Sequence, residues 1–227
     1  MRSKLIVTLA VVACLVLAWN IRTIFLHVPD EANQGAIFRI LYFHVPSAMT
    51  SFCGFFVAMA FSLMYLYKQD LKYDSIAASI TEVSLAFAIV TLVTGSIWGR
   101  IIWGVWWAWD ARLTSYFICI LIYSGYLMLR RAVDEPNQRA RFSTVLSVLG
   151  CADITIVWKS IEWFRTQHPG PVLSVRNGGG MAPGMEAPVY INLIPLLMLC
   201  LALILVRTRQ EDLRHEVDAL RRTAHSF

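Results

Sequence analysis

Two residue types in this chain carry chemistry that packing does not require. Histidine binds metals and protons, and tryptophan offers a large flat face with a single N–H. Five of the eight tryptophans fall in one stretch, Trp98-Gly-Arg-Ile-Ile-Trp103-Gly-Val-Trp106-Trp107-Ala-Trp109-Asp110-Ala-Arg112-Leu113-Thr114. Read as a helix, Trp103, Trp106, Trp107 and Asp110 stand at i, i+3, i+4 and i+7. The pattern predicts an amphipathic aromatic stripe that ends on a carboxylate, with Arg112 near it and Trp109 turned away. Tryptophan favours the headgroup level of a bilayer, so an interfacial belt is one reading. The density of the cluster exceeds what anchoring requires, and Gly99 and Gly104 leave room for another surface. The other reading is a platform for a large, flat, apolar ligand. Arg100 and Arg112 then face the ligand's carboxylates, or Asp110 and Arg112 pair with each other.

His44 and His168 both fall on the same side of the chain's apolar runs as the tryptophans. A lone loop histidine is usually a solvated side chain. Two beside an aromatic surface suit the axial positions of a haem iron, one imidazole to each face. Zinc calls for further nitrogen or sulfur ligands, and no such cluster is visible. The five cysteines, Cys14, Cys53, Cys119, Cys151 and Cys200, are isolated within apolar runs and read as small packing residues. There is no C-x-x-C pair and no C-x-x-C-H, which argues against a redox pair and against covalent c-type haem attachment. His27 shares a His-Val-Pro string at 27–29 with His44 at 44–46, but lacks the Leu-Tyr that precedes His44, and is set aside.

The elements that must position these residues are membrane helices. Hydrophobic residues make up 57% of the 227, charged residues 15%, and mean hydropathy is +0.58. A water-exposed surface needs more charge than that, about 25%. Six apolar runs are long enough, or nearly so, to cross a bilayer: Leu5–Leu26, Pro46–Tyr67, Ile76–Trp98, Leu113–Leu129, Phe142–Trp158 and Val189–Val206. The fourth and fifth are short and must borrow from their flanks. The expected fold class is therefore all-α: a polytopic membrane protein with an amphipathic tryptophan-rich segment at the outer surface. Met1–Lys4 before an apolar run resembles a signal peptide, yet the run continues to Trp19, so the reading is an uncleaved first helix.

Six helices put both termini on one side. Thirteen of the 20 Lys and Arg fall on that side and seven on the other, counting Arg176, which predicts cytoplasmic termini. The net charge of +5 thus reflects orientation rather than nucleic-acid binding. The expected division is a membrane domain over 1–206, with the outer-face site drawn from 39–46, 98–114 and 159–172, and a cytoplasmic tail over 207–227. In the tail, Leu213, Val217 and Leu220 are spaced as in a short amphipathic helix. Arg176–Pro188, rich in glycine, reads as an outer loop. Glu82 and Asp153 lie within apolar runs with no evident basic partner and are read as helix-packing residues.

Trp103-Gly-x-Trp106-Trp107-x-Trp109-Asp110-x-Arg112-Leu113-Thr114 resembles the signature of the tryptophan-rich, WWD-motif haem-handling family. Thr94-Gly95-Ser96-Ile97-Trp98-Gly99 and Leu41-Tyr42-x-His44-Val45-Pro46-x-Ala48 fit the same pattern. Length and helix number resemble its haem exporter C branch, also called cytochrome c maturation C, rather than the larger haem lyases. The chain departs from the pattern at Ile101-Ile102, where a proline is common, and around His168, where Glu162, Trp163 and Thr166 fit but Phe164, Arg165, Gln167 and Pro169 differ. The resemblance implies that His44 and His168 ligate haem b, held non-covalently and transiently. Trp103, Trp106, Trp107, Trp109 and Asp110 belong to the platform beside it. It also implies an inner-membrane location and presentation of haem to a membrane-anchored periplasmic chaperone during c-type cytochrome biogenesis. The implied partners further include ATP-binding cassette transporter subunits and a small membrane subunit. Whether such a protein assists covalent attachment to the chaperone stays open, as does the alternative of a permease for haem or another substrate.

Overall fold

The computed structural model describes residues 2–170, 181–182 and 184–224. Most of the glycine-rich outer stretch, including Arg176, lies outside the described residues. Six α-helices are each long and apolar enough to span a membrane, as the composition requires: α1 (Arg2–Leu26), α2 (Leu41–Lys68), α3 (Leu71–Ile102), α4 (Ala111–Ala132), α5 (Pro136–Trp163) and α6 (Ala187–Ala224). A 3-10 turn, Ala36–Ile40, leads straight into α2. The two runs that looked short do borrow from their flanks: α4 has 22 residues and α5 has 28.

Local chemistry explains where the helices break. Between α2 and α3 the chain turns through Gln69, at φ 55°, and Asp70 caps α3 by accepting from Lys72 N at 2.9 Å. Glu135 does the same for α5, accepting from the amides of Asn137 and Gln138 just after Pro136 enters the first turn. These tight turns make α2–α3 and α4–α5 antiparallel hairpins. α2 runs through the middle, touching α3, α5 and α6, while α1 packs along α6. At the centre, Phe55 of α2 stacks on Tyr123 of α4 with centroids 3.6 Å apart. Buried Ser, Thr and Gly line the contacts, as membrane helices need in order to approach closely.

Two sequence expectations change. α6 does not end near Val206. It continues as one helix to Ala224, about 57 Å at 1.5 Å per residue, so no separate short helix forms in the tail. That continuation keeps Arg207 beside α3, where it pairs with Glu82 at 2.7 Å and with Glu211 at 2.6 Å. Glu82 therefore has the basic partner that its sequence neighbours did not reveal. Asp153 has no ion pair among the described residues, and its buried Oδ2 has no hydrogen-bond partner. At the same end as the termini, Arg130 closes on buried Asp74 through two bonds of 2.6 and 2.8 Å.

Candidate functional site

The opposite end of the bundle gathers the start of α2, the end of α3, the start of α4 and the chain after α5. The Trp-rich segment there is not one helix. α3 ends at Ile102. Gly104 then takes φ 77°, a conformation open to glycine, and the Arg100 guanidinium donates to its carbonyl. Residues 103–110 run irregularly until Asp110 starts α4. The helical stripe is thus corrected: the tryptophans are brought together by a folded connection, not by a 3.6-residue period.

Their placements differ accordingly. Trp103 folds back onto Gly99, where an added Cβ would lie 3.1 Å from its ring, so this glycine receives the chain's own tryptophan. Trp107 is flanked edge-on by Trp109, at 5.8 Å, and by Phe117, at 5.7 Å, so Trp109 joins the cluster rather than turning away. Trp106 and Trp109 are 62% and 77% exposed, which makes them the open face of the cluster. The Nε1 of Trp107 is buried with no partner.

His44 sits in the first turns of α2, half-buried. Its Nδ1 lies 3.0 Å from Thr94 Oγ1. The Thr94 hydroxyl spends its only hydrogen on backbone carbonyls one turn back, Val90 O at 2.8 Å or Thr91 O at 3.1 Å. With its hydrogen on either carbonyl, the hydroxyl accepts from His44, an arrangement that suits a proton on Nδ1 and leaves the Nε2 lone pair free. Trp98 stands edge-on to the ring at 5.9 Å, and its own N–H is held by Gln34 Oε1 at 2.8 Å. Gly95 lies directly against the imidazole: a Cβ there would be 2.9 Å from Cε1.

His168 follows α5 in an irregular loop. Its Nδ1 is 2.9 Å from the Pro169 carbonyl, which can only accept, so Nε2 is again the free nitrogen. Burial, and then the positive charge of Arg112, lower its pKa to about 4 against the opposing pull of the Pro169 bond and Asp110. The imidazole is neutral at neutral pH, the form that ligates metals.

Asp110 explains how that loop is held. Oδ1 caps α4 by accepting from Arg112 N at 2.8 Å and Leu113 N at 3.3 Å. Oδ2 accepts from Gln167 N at 2.9 Å, across 57 residues of chain. Burial raises its pKa, but bonds from Thr166, Gln167, Arg112 and Leu113 outweigh it and hold the carboxyl below its ordinary value. The Asp110–Arg112 pair is not formed: no ion pair or side-chain hydrogen bond of Arg112 occurs among the described residues. The half-buried guanidinium lies within electrostatic range of Asp110, His44 and His168.

The structure therefore brings His44, His168, Asp110 and Arg112 to one place beside the tryptophans, while Arg100 is turned to its own helix end. His27 is exposed at the end of α1. Sequence reasoning missed the supporting roles of Thr94 and Gly95 under His44, of Gln34 on Trp98, and of Thr166 and Gln167 on Asp110. No local pattern marks Gln34 or Gln167. No group of three or more His, Cys, Asp or Glu suited to a metal ion occurs among the described residues.

Fold and site together define a polytopic, all-helical membrane protein with paired imidazoles and a tryptophan cluster at one end. The profile of the family described as "Heme exporter protein C" matches residues 1–223. The protein of that name from Paracoccus denitrificans is 34% identical over 211 residues, covering 92% of this chain and 86% of the relative. Those from Bradyrhizobium diazoefficiens and Escherichia coli K12 are 35% and 34% identical over 192 and 182 residues, covering 85% and 80% of this chain and 73% of each relative. The chain belongs to the heme exporter protein C family.

Proposed function

We propose that this protein holds haem at the outer face of the inner membrane and presents it to a periplasmic haem chaperone during c-type cytochrome biogenesis. The observation that carries the reading is the pair of imidazoles. Each has Nδ1 at a hydrogen-bond partner, Thr94 Oγ1 or the Pro169 carbonyl, and each leaves Nε2 open at the same end of the bundle. Hydrogen bonds of this kind are how proteins prepare histidine as a metal ligand. The rest of the site suits a large, flat, dianionic macrocycle. Arg112 offers a guanidinium without an acid partner among the described residues, and Trp107 a buried N–H without an acceptor. Trp106 and Trp109 provide exposed aromatic faces.

Haem supplies an iron with two open axial positions and two propionates. His44 and His168 serve as the ligands, and Arg112 meets a propionate. The tryptophans cover the apolar ring. Asp110 does not touch haem in this reading; it anchors the His168 loop to α4. His168 rides on a loop rather than a helix, which suits a holder that must release its cargo. The excess of Lys and Arg on the terminus side supports cytoplasmic termini and a periplasmic site. A permease needs a polar path through the bilayer, and of the two acids within the apolar runs, Glu82 is already engaged with Arg207.

The test is an absorption spectrum with pyridine haemochrome quantification on the detergent-purified protein, alone and co-expressed with the chaperone, beside H44A and H168A. Non-covalent b-type haem, lost or spectrally altered in both variants, is the expected result. A His44→Ala protein with full haem and an unchanged spectrum would refute the ligand assignment.

A further inference from the structure

Pro46 stands in the second turn of α2 and has no N–H to donate. In a regular helix that N–H would bond the carbonyl four residues earlier, which belongs to Tyr42. Tyr42 is fully buried, so its carbonyl has no recourse to water. Another helix meets it instead: Asn192 Nδ2, from α6, donates to Tyr42 O at 2.7 Å. The Asn192 carboxamide is held in turn. Its Oδ1 accepts from Asn20 Nδ2 of α1 at 2.7 Å, and the same nitrogen donates to Pro188 O at 2.9 Å. Both asparagines are fully buried. Two amides thus join three helices at the Tyr42 carbonyl, two residues before His44, which Pro46 leaves without its helical bond.

We infer that Asn192, steadied by Asn20, is a positioning residue for His44. The inference rests on the reading that His44 ligates haem iron. Thr94 and Trp98 fix the ring from the α3 side. The turn that carries the ring has lost an internal bond, and Asn192 replaces it. Without that replacement the Tyr42 carbonyl is buried and unpaired, and the turn shifts to relieve it. General adhesion between membrane helices would use the same asparagines but would not depend on Pro46.

That dependence is the test. Low-spin bis-imidazole haem is measured by electron paramagnetic resonance, and helix content by far-ultraviolet circular dichroism, on the full-length protein in detergent. The set is wild type, H44A, N192L and N192L/P46A. N192L is expected to keep its helix content and lose the low-spin signal about tenfold, the scale for one buried acceptor left unpaired. N192L/P46A is expected to regain most of it, because the restored backbone N–H at position 46 bonds the Tyr42 carbonyl within the helix. If H44A keeps the low-spin signal, the ligand reading fails and this inference falls with it. If H44A loses the signal and N192L keeps it, only this inference is overturned. A loss in N192L that P46A does not reverse also overturns it. Should N192L not accumulate, the double variant decides: accumulation with the low-spin signal supports the inference, and absence of either protein or signal overturns it.

Discussion

Asp110→Asn separates the two jobs that one carboxylate performs. Asparagine caps a helix about as well as aspartate, so the bonds from Arg112 N and Leu113 N to a side-chain oxygen survive and α4 keeps its start. The second oxygen becomes an NH2, which cannot accept from Gln167 N, now bonded at 2.9 Å. A hydrogen bond to a charged group contributes about 1.5–3 kcal/mol, which corresponds to roughly 10- to 100-fold. If His168 has to be pinned before it can ligate, that loss appears in haem affinity rather than in folding. The assay is haem titration of the purified protein, paired with hydrogen exchange at the Gln167 amide. D110N should bind haem roughly 10- to 100-fold more weakly, with faster exchange at Gln167 and unchanged protection along α4. Wild-type affinity combined with fast exchange at Gln167 would refute the idea that the anchored loop matters. Slow exchange would refute the anchor itself.

Gly95→Ala places a methyl 2.9 Å from His44 Cε1, closer than packed atoms tolerate, while alanine suits the α3 helix better than glycine. The variant should be at least as helical by circular dichroism yet show a diminished or shifted low-spin haem signal; an unchanged spectrum counts against the seat described for His44. Arg112→Gln removes the guanidinium that lacks an acid partner among the described residues, so haem affinity should fall by about 1.5–3 kcal/mol. Titration with the dimethyl ester of the same porphyrin should show little difference between R112Q and wild type. An equal loss for acid and ester would place Arg112 away from the propionates.

Within the site, legibility followed the range of the interaction. His44 and His168 stand out in the sequence because histidine is rare in it, and both fall on the same side of the apolar runs as the tryptophan cluster. The conformation of that cluster was misread. A period of 3.6 can be laid over residues 103–110, but Gly104 at φ 77° and a new N-cap at Asp110 override it. Spacing alone does not report a backbone break when glycine is also common in membrane helices. The partners of Asp110 and Glu82 were hidden for another reason. Gln167 is 57 residues from Asp110, and Arg207 is 125 from Glu82, and only packing brings them within hydrogen-bond reach.

By itself, then, the sequence determined the solvent and the scaffold. A chain this apolar must satisfy its backbone within helices, and six runs of sufficient length leave little choice of architecture. It also determined the chemical types at one end: two imidazoles, indoles, a carboxylate and guanidinium groups. The tertiary structure decided which nitrogen of each imidazole meets a hydrogen-bond partner, that Asp110 ties down the His168 loop instead of forming an ion pair with Arg112, and that Asn192 donates to the carbonyl that Pro46 leaves without its helical bond. Those outcomes depend on distances of about 3 Å between atoms far apart in the chain, and such distances are set by how helices cross and turn, not by the order of residues along any one of them.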